Sequence, residues 1–417
     1  YLKIVNRQID GAWGWAVSGA AFVLLFFAYG NTYSFGVFFP ALSASFGADR
    51  AETALVFSIV GGLYSTLGII SGPAADRLGT RPVCLFGIVA LGIGLIYAST
   101  ATALWQVYLG FGLGLAFGMG FIFAPANAGL QRWFTKKRGL ASGIASTGIG
   151  VSILVLPPVS AALIEWQNWR VAMQIIGVSA LIVGSLAALM MVDPTDTKDG
   201  SASVVGATDN QIDVKTYYDL KAAFLSRGFL MLFFSSMICS IGFFIPFVHL
   251  VPYAIDQGFG ETNGVYLLMV IGISSLTGRI LLTAASDHLG RRNSMIAMYF
   301  TMALSFLLWY VAGNMTVLTM FAVFYGLGSG GYVAMIAPLI AEYFGTEKIG
   351  SILGCFMPNI ALGGFFGPYL TGYAYDLWGS YDIPFIVALV CGLAAAVLAL
   401  LMPARAYEAV AFQRKIQ

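Results

Sequence analysis

Apolar side chains run along this chain in long blocks of about twenty residues, each closed by a short polar or charged break. A helix rises about 1.5 Å per residue, so each block is long enough to cross a hydrocarbon core of about 30 Å. The pattern predicts membrane helices over 13–39, 53–74, 83–99, 103–131, 139–164 and 170–192. It then predicts a second set over 228–254, 263–283, 294–312, 316–342, 350–375 and 383–403. The expected fold class is an all-α membrane protein with twelve transmembrane helices in two pseudo-symmetric six-helix bundles. Residues 1–192 make the first bundle and 227–417 the second. Between them, 193–226 is rich in Ser, Thr, Asp and Gly with no apolar period until Tyr217, the mark of a solvated cytoplasmic linker. Its tail, 217–224, predicts a short amphipathic helix on the membrane surface.

Composition strengthens this picture. Of 417 residues, 59% are apolar and 10% charged, far from the roughly 25% charge of a soluble domain. The 50 glycines suit close helix packing in lipid. A net charge of +2 gives no reason to expect a nucleic-acid partner, so the information lies in where the charges sit. One side of the predicted membrane collects Lys3, Arg7, Arg77, Arg81, Arg132, Lys136, Lys137, Arg291, Arg292 and Lys348 among others, while the opposite side keeps only Arg50 and Arg170. The asymmetry places both termini and the linker in the cytoplasm. Tyr1 to Ile9 is polar and the run after Asp10 is too long for a cleavable leader, so none is expected. Short loops and a short tail set the expectation of a multi-pass protein of a bacterial cytoplasmic membrane. Oligomeric state is not readable.

One charge breaks the pattern. Arg279 lies inside the run 263–283, about eight residues before the polar exit Ser286-Asp287-His288. Eight residues of helix are roughly 12 Å, which puts the guanidinium near the middle of the hydrocarbon. A cation there is costly and by default faces a cavity on a ligand path. No Asp or Glu lies deep in any predicted span, so Arg279 lacks a protein counter-ion and should attract an anion. Its planar fork of donors matches a carboxylate. A structural arginine bonded to helix carbonyls is the alternative. The cysteines Cys84, Cys239, Cys355 and Cys391 all fall in apolar runs without disulfide or metal spacing. No Ser/His/Asp, paired-carboxylate or metal constellation stands within the spans, which argues against an enzyme and gives no catalytic residue, metal or cofactor to assign.

The halves repeat. After the second span stands Gly72-Pro-Ala-Ala-Asp76-Arg77-Leu-Gly79-Thr-Arg81, and 211 positions on stands Ala285-Ser-Asp287-His288-Leu-Gly290-Arg291-Arg292. Glycine permits the tight reversal, the acid accepts bonds from a helix N-terminus, and the bases sit at the headgroups. This loop resembles the signature of the major facilitator superfamily. Two further stretches, Asp10-Gly11-Ala12-Trp13-Gly14-Trp15 and Trp133-Phe134-Thr135-Lys136-Lys137-Arg138-Gly139, resemble the paired signatures of the monocarboxylate transporters, with a pattern shared by oxalate/formate carriers. The match departs at Ala12, and again past Gly148, where a late glycine is displaced to Gly150 and Ser152 takes its place.

The resemblance implies two bundles that rock about a central site, with Arg279 at the family's eighth-helix arginine as the carboxylate anchor. It also exposes two departures. Ser275 stands where the family usually has an aspartate implicated in proton coupling, and Tyr33 where it has a lysine. The helices that face the centre in this superfamily, the first, fourth, seventh and tenth, then supply the lining candidates Tyr29, Asn31 and Tyr33; Asn127; and Tyr332, and Asn359 is added from the eleventh, where Pro358-Asn359 breaks helix regularity. Phe27, Ile144 and Phe356 are candidates for the apolar wall. His249 is the one neutral-range titratable side chain within a span and hence a proton-coupling candidate, with a structural imidazole as the rival reading. Asp76, Arg77, Arg81, Asp287 and Arg291 are expected to act in conformational gating. The expected cargo is a lactate- or pyruvate-like anion moved with a proton, in contact with the lipid bilayer. A carboxylate exchanger is the first rival, although no eleventh-helix lysine is present for a second carboxylate. A non-transporting membrane receptor is the second.

Overall fold

The computed structural model describes residues 11–134, 138–193, 224–344, 352 and 355–403. Among these residues every regular element is helical. In chain order they are α1 (Ala12–Tyr33), α2 (Phe35–Phe46), α3 (Arg50–Leu78), α4 (Thr80–Ser99), α5 (Leu104–Val107), α6 (Gly114–Trp133), α7 (Arg138–Trp166), α8 (Trp169–Ser179) and α9 (Ser185–Met190). The second half holds α10 (Arg227–Phe243), α11 (Ile245–Asp256), α12 (Glu261–Leu289), α13 (Arg291–Tyr310), α14 (Met315–Phe344), α15 (Pro358–Trp378) and α16 (Asp382–Leu400). Short π-helical turns, Tyr108–Leu113 and Ala180–Gly184, join α5 to α6 and α8 to α9.

Among the described residues, ten helical stretches are long and apolar enough to cross a membrane. α13 and α15 stand where the ninth and eleventh spans are expected, but they fall outside that set of ten. The predicted surface helix over 217–224 lies outside the described residues except for Phe224, whose ring packs on Phe229.

The first and seventh predicted spans are each broken at matching places. α1 stops at Ser34, whose N–H and hydroxyl both donate to the Gly30 carbonyl, and α2 continues to Phe46. α10 stops at Phe244 because Pro246, without an N–H, interrupts the helical ladder. The Tyr325 hydroxyl donates to the Phe243 carbonyl at that break. Between the breaks, Gly36 lies so close to α11 that a Cβ there would meet the Phe247 carbonyl at 2.7 Å.

The two halves touch along three seams: α3 with α15, α7 with α12, and α2 with α11. Small residues set the first two. A Cβ on Gly61 would meet the Gly364 carbonyl at 2.6 Å, and one on Gly272 would meet the Leu154 nitrogen at 3.0 Å. Aromatic rings pack in and beside the third, with Phe39 of α2 on the His249 ring of α11 at 5.6 Å and Tyr33 of α1 on Phe247 at 4.3 Å.

The helix ends on the Lys- and Arg-rich face are tied by equivalent bonds in each half. Trp133 donates to the Val192 carbonyl, and Tyr343 donates to the Pro403 carbonyl. In the first half a carboxylate adds to this. Asp193 accepts from the Thr80 N–H and hydroxyl, both at 2.7 Å, and pairs with Arg132 at 3.0 Å. The expected linker therefore begins with a residue that belongs to the first bundle, since Asp193 caps the N-terminus of α4.

Candidate functional site

Arg279 comes off the middle of α12 beside the seam between the halves. Its Nε is buried with no hydrogen-bond partner, and among the described residues it makes no ion pair. The Tyr29 and Tyr33 side chains of α1 lie close enough to act electrostatically on the guanidinium. A buried donor left unpaired costs on the order of 1–3 kcal/mol, more when charged, so the arrangement is complete only with an acceptor. Three of the residues picked from sequence are thus brought together, from opposite halves of the molecule.

Around them stands an aromatic wall. Phe247 lies over Tyr33 at 4.3 Å, while Phe123 and Tyr64 meet Tyr29 at 5.8 and 6.5 Å. Tyr332 is buried beside Phe243 at 5.9 Å and Tyr299 at 5.5 Å. Tyr64 was not singled out from sequence. The repeat offers a signal for it, since position 64 lies 211 before Ser275, one helical turn from Arg279.

The remaining candidates are placed less favourably. The amides of Asn31 and Asn127 each donate to the carbonyl four residues earlier, Phe27 and Phe123, at 2.7 and 2.8 Å. Asn359 donates to the Phe356 carbonyl, leaving its own side-chain oxygen buried and unpaired. Phe356 is buried against Phe229 and Phe233 of α10, which makes it packing between helices of one half. Phe27 is buried against Phe26, and Ile144 is exposed. Ser275 is buried where α12 crosses α14, at a point where a Cβ on Gly330 would strike its backbone.

His249 is fully buried in the first half of α11. Its Nε2 lies 2.9 Å from the Pro368 carbonyl and accordingly donates, leaving Nδ1 to accept from the Tyr381 hydroxyl at 3.4 Å. Both ring nitrogens are therefore in use. Tyr381 in turn accepts from Arg50. Burial raises the Tyr381 phenol above its ordinary value, so it stays a neutral hydroxyl. Of the expected gating residues, Arg77 and Arg81 are exposed. Arg291 donates to the Pro338 carbonyl at 2.8 Å and pairs with Glu342 at 3.5 Å, both in α14. The side chains of Asp76 and Asp287 lie outside the described residues. Among the described residues no cluster of three or more His, Cys, Asp or Glu comes together as metal ligands.

Apolar helices long enough to cross a membrane thus pack around an arginine whose Nε is buried without a partner, as in a polytopic membrane protein. The Major Facilitator Superfamily model matches residues 21–354 and 267–415. Monocarboxylate transporter 13 of Rattus norvegicus is 33% identical over 382 residues, covering 91% of this chain and 86% of its own. Monocarboxylate transporter 2 of Homo sapiens is 29% identical over 99% of this chain and 90% of its own, and human monocarboxylate transporter 11 is 28% identical over 91% and 80%. The chain belongs to the monocarboxylate transporter family of the major facilitator superfamily, whose members are transporters rather than enzymes.

Proposed function

We propose that this protein is a secondary carrier of small monocarboxylates such as L-lactate and pyruvate, working by alternating access between two six-helix bundles that together make twelve spans. The observation that carries the reading is the buried, unpaired Nε of Arg279 facing Tyr29 and Tyr33 across the seam. A carboxylate bound there neutralises the cation and lowers the cost of closing the site, which ties movement of the bundles to cargo. The tyrosine hydroxyls are donors and acceptors suited to a 2-hydroxyl or 2-keto oxygen.

The coupling ion in this reading is a proton, carried on the substrate carboxyl once it is desolvated beside Arg279. His249 is engaged at both ring nitrogens and serves the structure better than a proton relay. The Lys- and Arg-rich face, with both termini, lies on the cytoplasmic side of a cell membrane, taken as bacterial from the short loops. There Asp76, Arg77, Arg81, Asp287 and Arg291 bias the conformational equilibrium.

The test is uptake of labelled L-lactate into proteoliposomes, with an inward proton gradient imposed or abolished, for the parent and Arg279→Gln. Gradient-dependent accumulation that vanishes in the variant supports the reading. Undiminished uptake in the variant would remove the anchor. Flux that ignores the gradient and rises with anion preloaded inside would make the protein an exchanger.

A further inference from the structure

The seams α3/α15 and α7/α12 are related by the 211-residue repeat, yet their ends on the face remote from the basic loops carry opposite electrostatics. At α3/α15, Nη2 of Arg50 reaches both carboxylate oxygens of Asp256, at 2.7 and 2.6 Å, at the end of α11. Nη1 donates to Tyr381, and the guanidinium carbon lies 3.9 Å from the centre of the Tyr375 ring. Asp376 of α15 accepts from the backbone nitrogens of Arg50 and Ala51, at 3.0 and 2.7 Å, so the second half caps a helix of the first. Gly372 permits the approach, since a Cβ there would meet the Arg50 carbonyl at 2.7 Å.

The repeat carries Arg50 onto Glu261 and Asp376 onto Glu165. Glu165 is the last residue but one of α7 and Glu261 the first of α12, so two acids stand at the same end of that seam. Neither makes an ion pair among the described residues. One seam end pairs opposite charges and its twin carries two like ones.

We propose that Arg50 is a one-sided latch: closure of the remote face is held at the α3/α15 end, and opening requires Arg50 to leave Asp256 and Tyr381 while Asp376 leaves the end of α3. His249 holds Tyr381 in place for this contact by bonding it and Pro368 together. The proposal rests on the alternating-access reading and does not depend on which anion is carried. The side chains of Arg50 and Asp256 are 18% and 24% exposed, so water and ions reach the pair and the latch holds closure by a modest margin.

The experiment places spin labels at the exposed positions Gln167 and Gly313, one in each half, in a background with Cys355→Ala and Cys391→Ala, and measures the distance distribution in nanodiscs. The parent should be mostly closed. Arg50→Gln should raise the ratio of long to short distances about tenfold, the size of one lost charge-assisted contact. Asp256→Asn, which removes the partner instead, should give the same shift and covers the case in which Arg50→Gln fails to fold. Adding Glu261→Arg to Arg50→Gln puts an arginine opposite Glu165 on the twin seam and should restore the closed distribution. An unchanged distribution in both Arg50→Gln and Asp256→Asn overturns the latch. A combined variant that stays open overturns its one-sidedness. Absence of lactate uptake in the parent would remove the cargo assignment and leave these distances standing.

Discussion

Arg50 and Arg279 carry the same charge in the same fold under opposite circumstances. Arg50 is engaged: Nη2 holds a carboxylate, Nη1 a phenol, and an aromatic ring covers its face. Arg279 has a buried nitrogen with no acceptor among the described residues, with Tyr29 and Tyr33 near enough to act on its charge. A guanidinium whose bonds are all made inside the protein has little left for a ligand, and it stabilises whichever arrangement makes those bonds. One whose bonds are unmade is stabilised by what arrives. On the proposed readings, the difference separates holding a conformation from holding a cargo.

Neutralising each arginine should break this comparison most sharply. Arg279→Gln is expected to lower L-lactate uptake at least about a hundredfold, because a charge-assisted, forked contact is lost in a low-dielectric site. The parallel Arg50→Gln should leave binding of L-lactate within about threefold, measured by tryptophan quenching, since water reaches the pair it breaks. Lysine sharpens the contrast further. Arg279→Lys should cost about tenfold in uptake because a point charge replaces a planar fork, whereas Arg50→Lys keeps a single bond to Asp256 and most of the closed population.

Much of this was legible in the chain. The apolar blocks located the helices, and the Asp-x-x-Gly repeat fixed the offset of 211 that also relates the breaks at Ser34 and Phe244 to within one residue. Arg279 stood out because a charge inside an apolar run has no ordinary explanation. Arg50 was equally visible, as one of two basic residues on its face, yet it served only as an exception to the charge asymmetry. Its contacts are with Asp256, Asp376 and Tyr381, which lie more than two hundred positions away and are brought to it only by the fold. Tyr64 was hidden for a related reason, since a tyrosine among apolar neighbours has no signature until Tyr29 is placed against it. The asparagines Asn31 and Asn127 stand in helices expected to be central, and each gives one amide bond to its own backbone.

Two smaller effects refine the comparison. His249→Gln should leave gradient-driven uptake within about threefold of the parent while lowering thermal stability by about 1–2 kcal/mol, because a buried imidazole bonded at both nitrogens is being replaced. Loss of proton coupling with stability intact would move the histidine from Arg50's circle to the site of Arg279. Asp193→Asn, far from both arginines, should cost about 1 kcal/mol in melting experiments and leave the distance distribution unchanged, since its half-exposed carboxylate ties helices within one half.

The cap that Asp376 places on α3 has a consequence for how fast anions arrive. The start of α3 is the positive end of a 29-residue helix, and in the closed arrangement the partner half's carboxylate cancels it. Any motion that parts α15 from α3 strips that cancellation and uncovers the Arg50 guanidinium in the same place. The opening mouth then shows Arg50 and that helix end on one wall and the released Asp256 and Asp376 on the other, so an arriving anion is drawn along the first wall and turned from the second, and both effects weaken as salt is added.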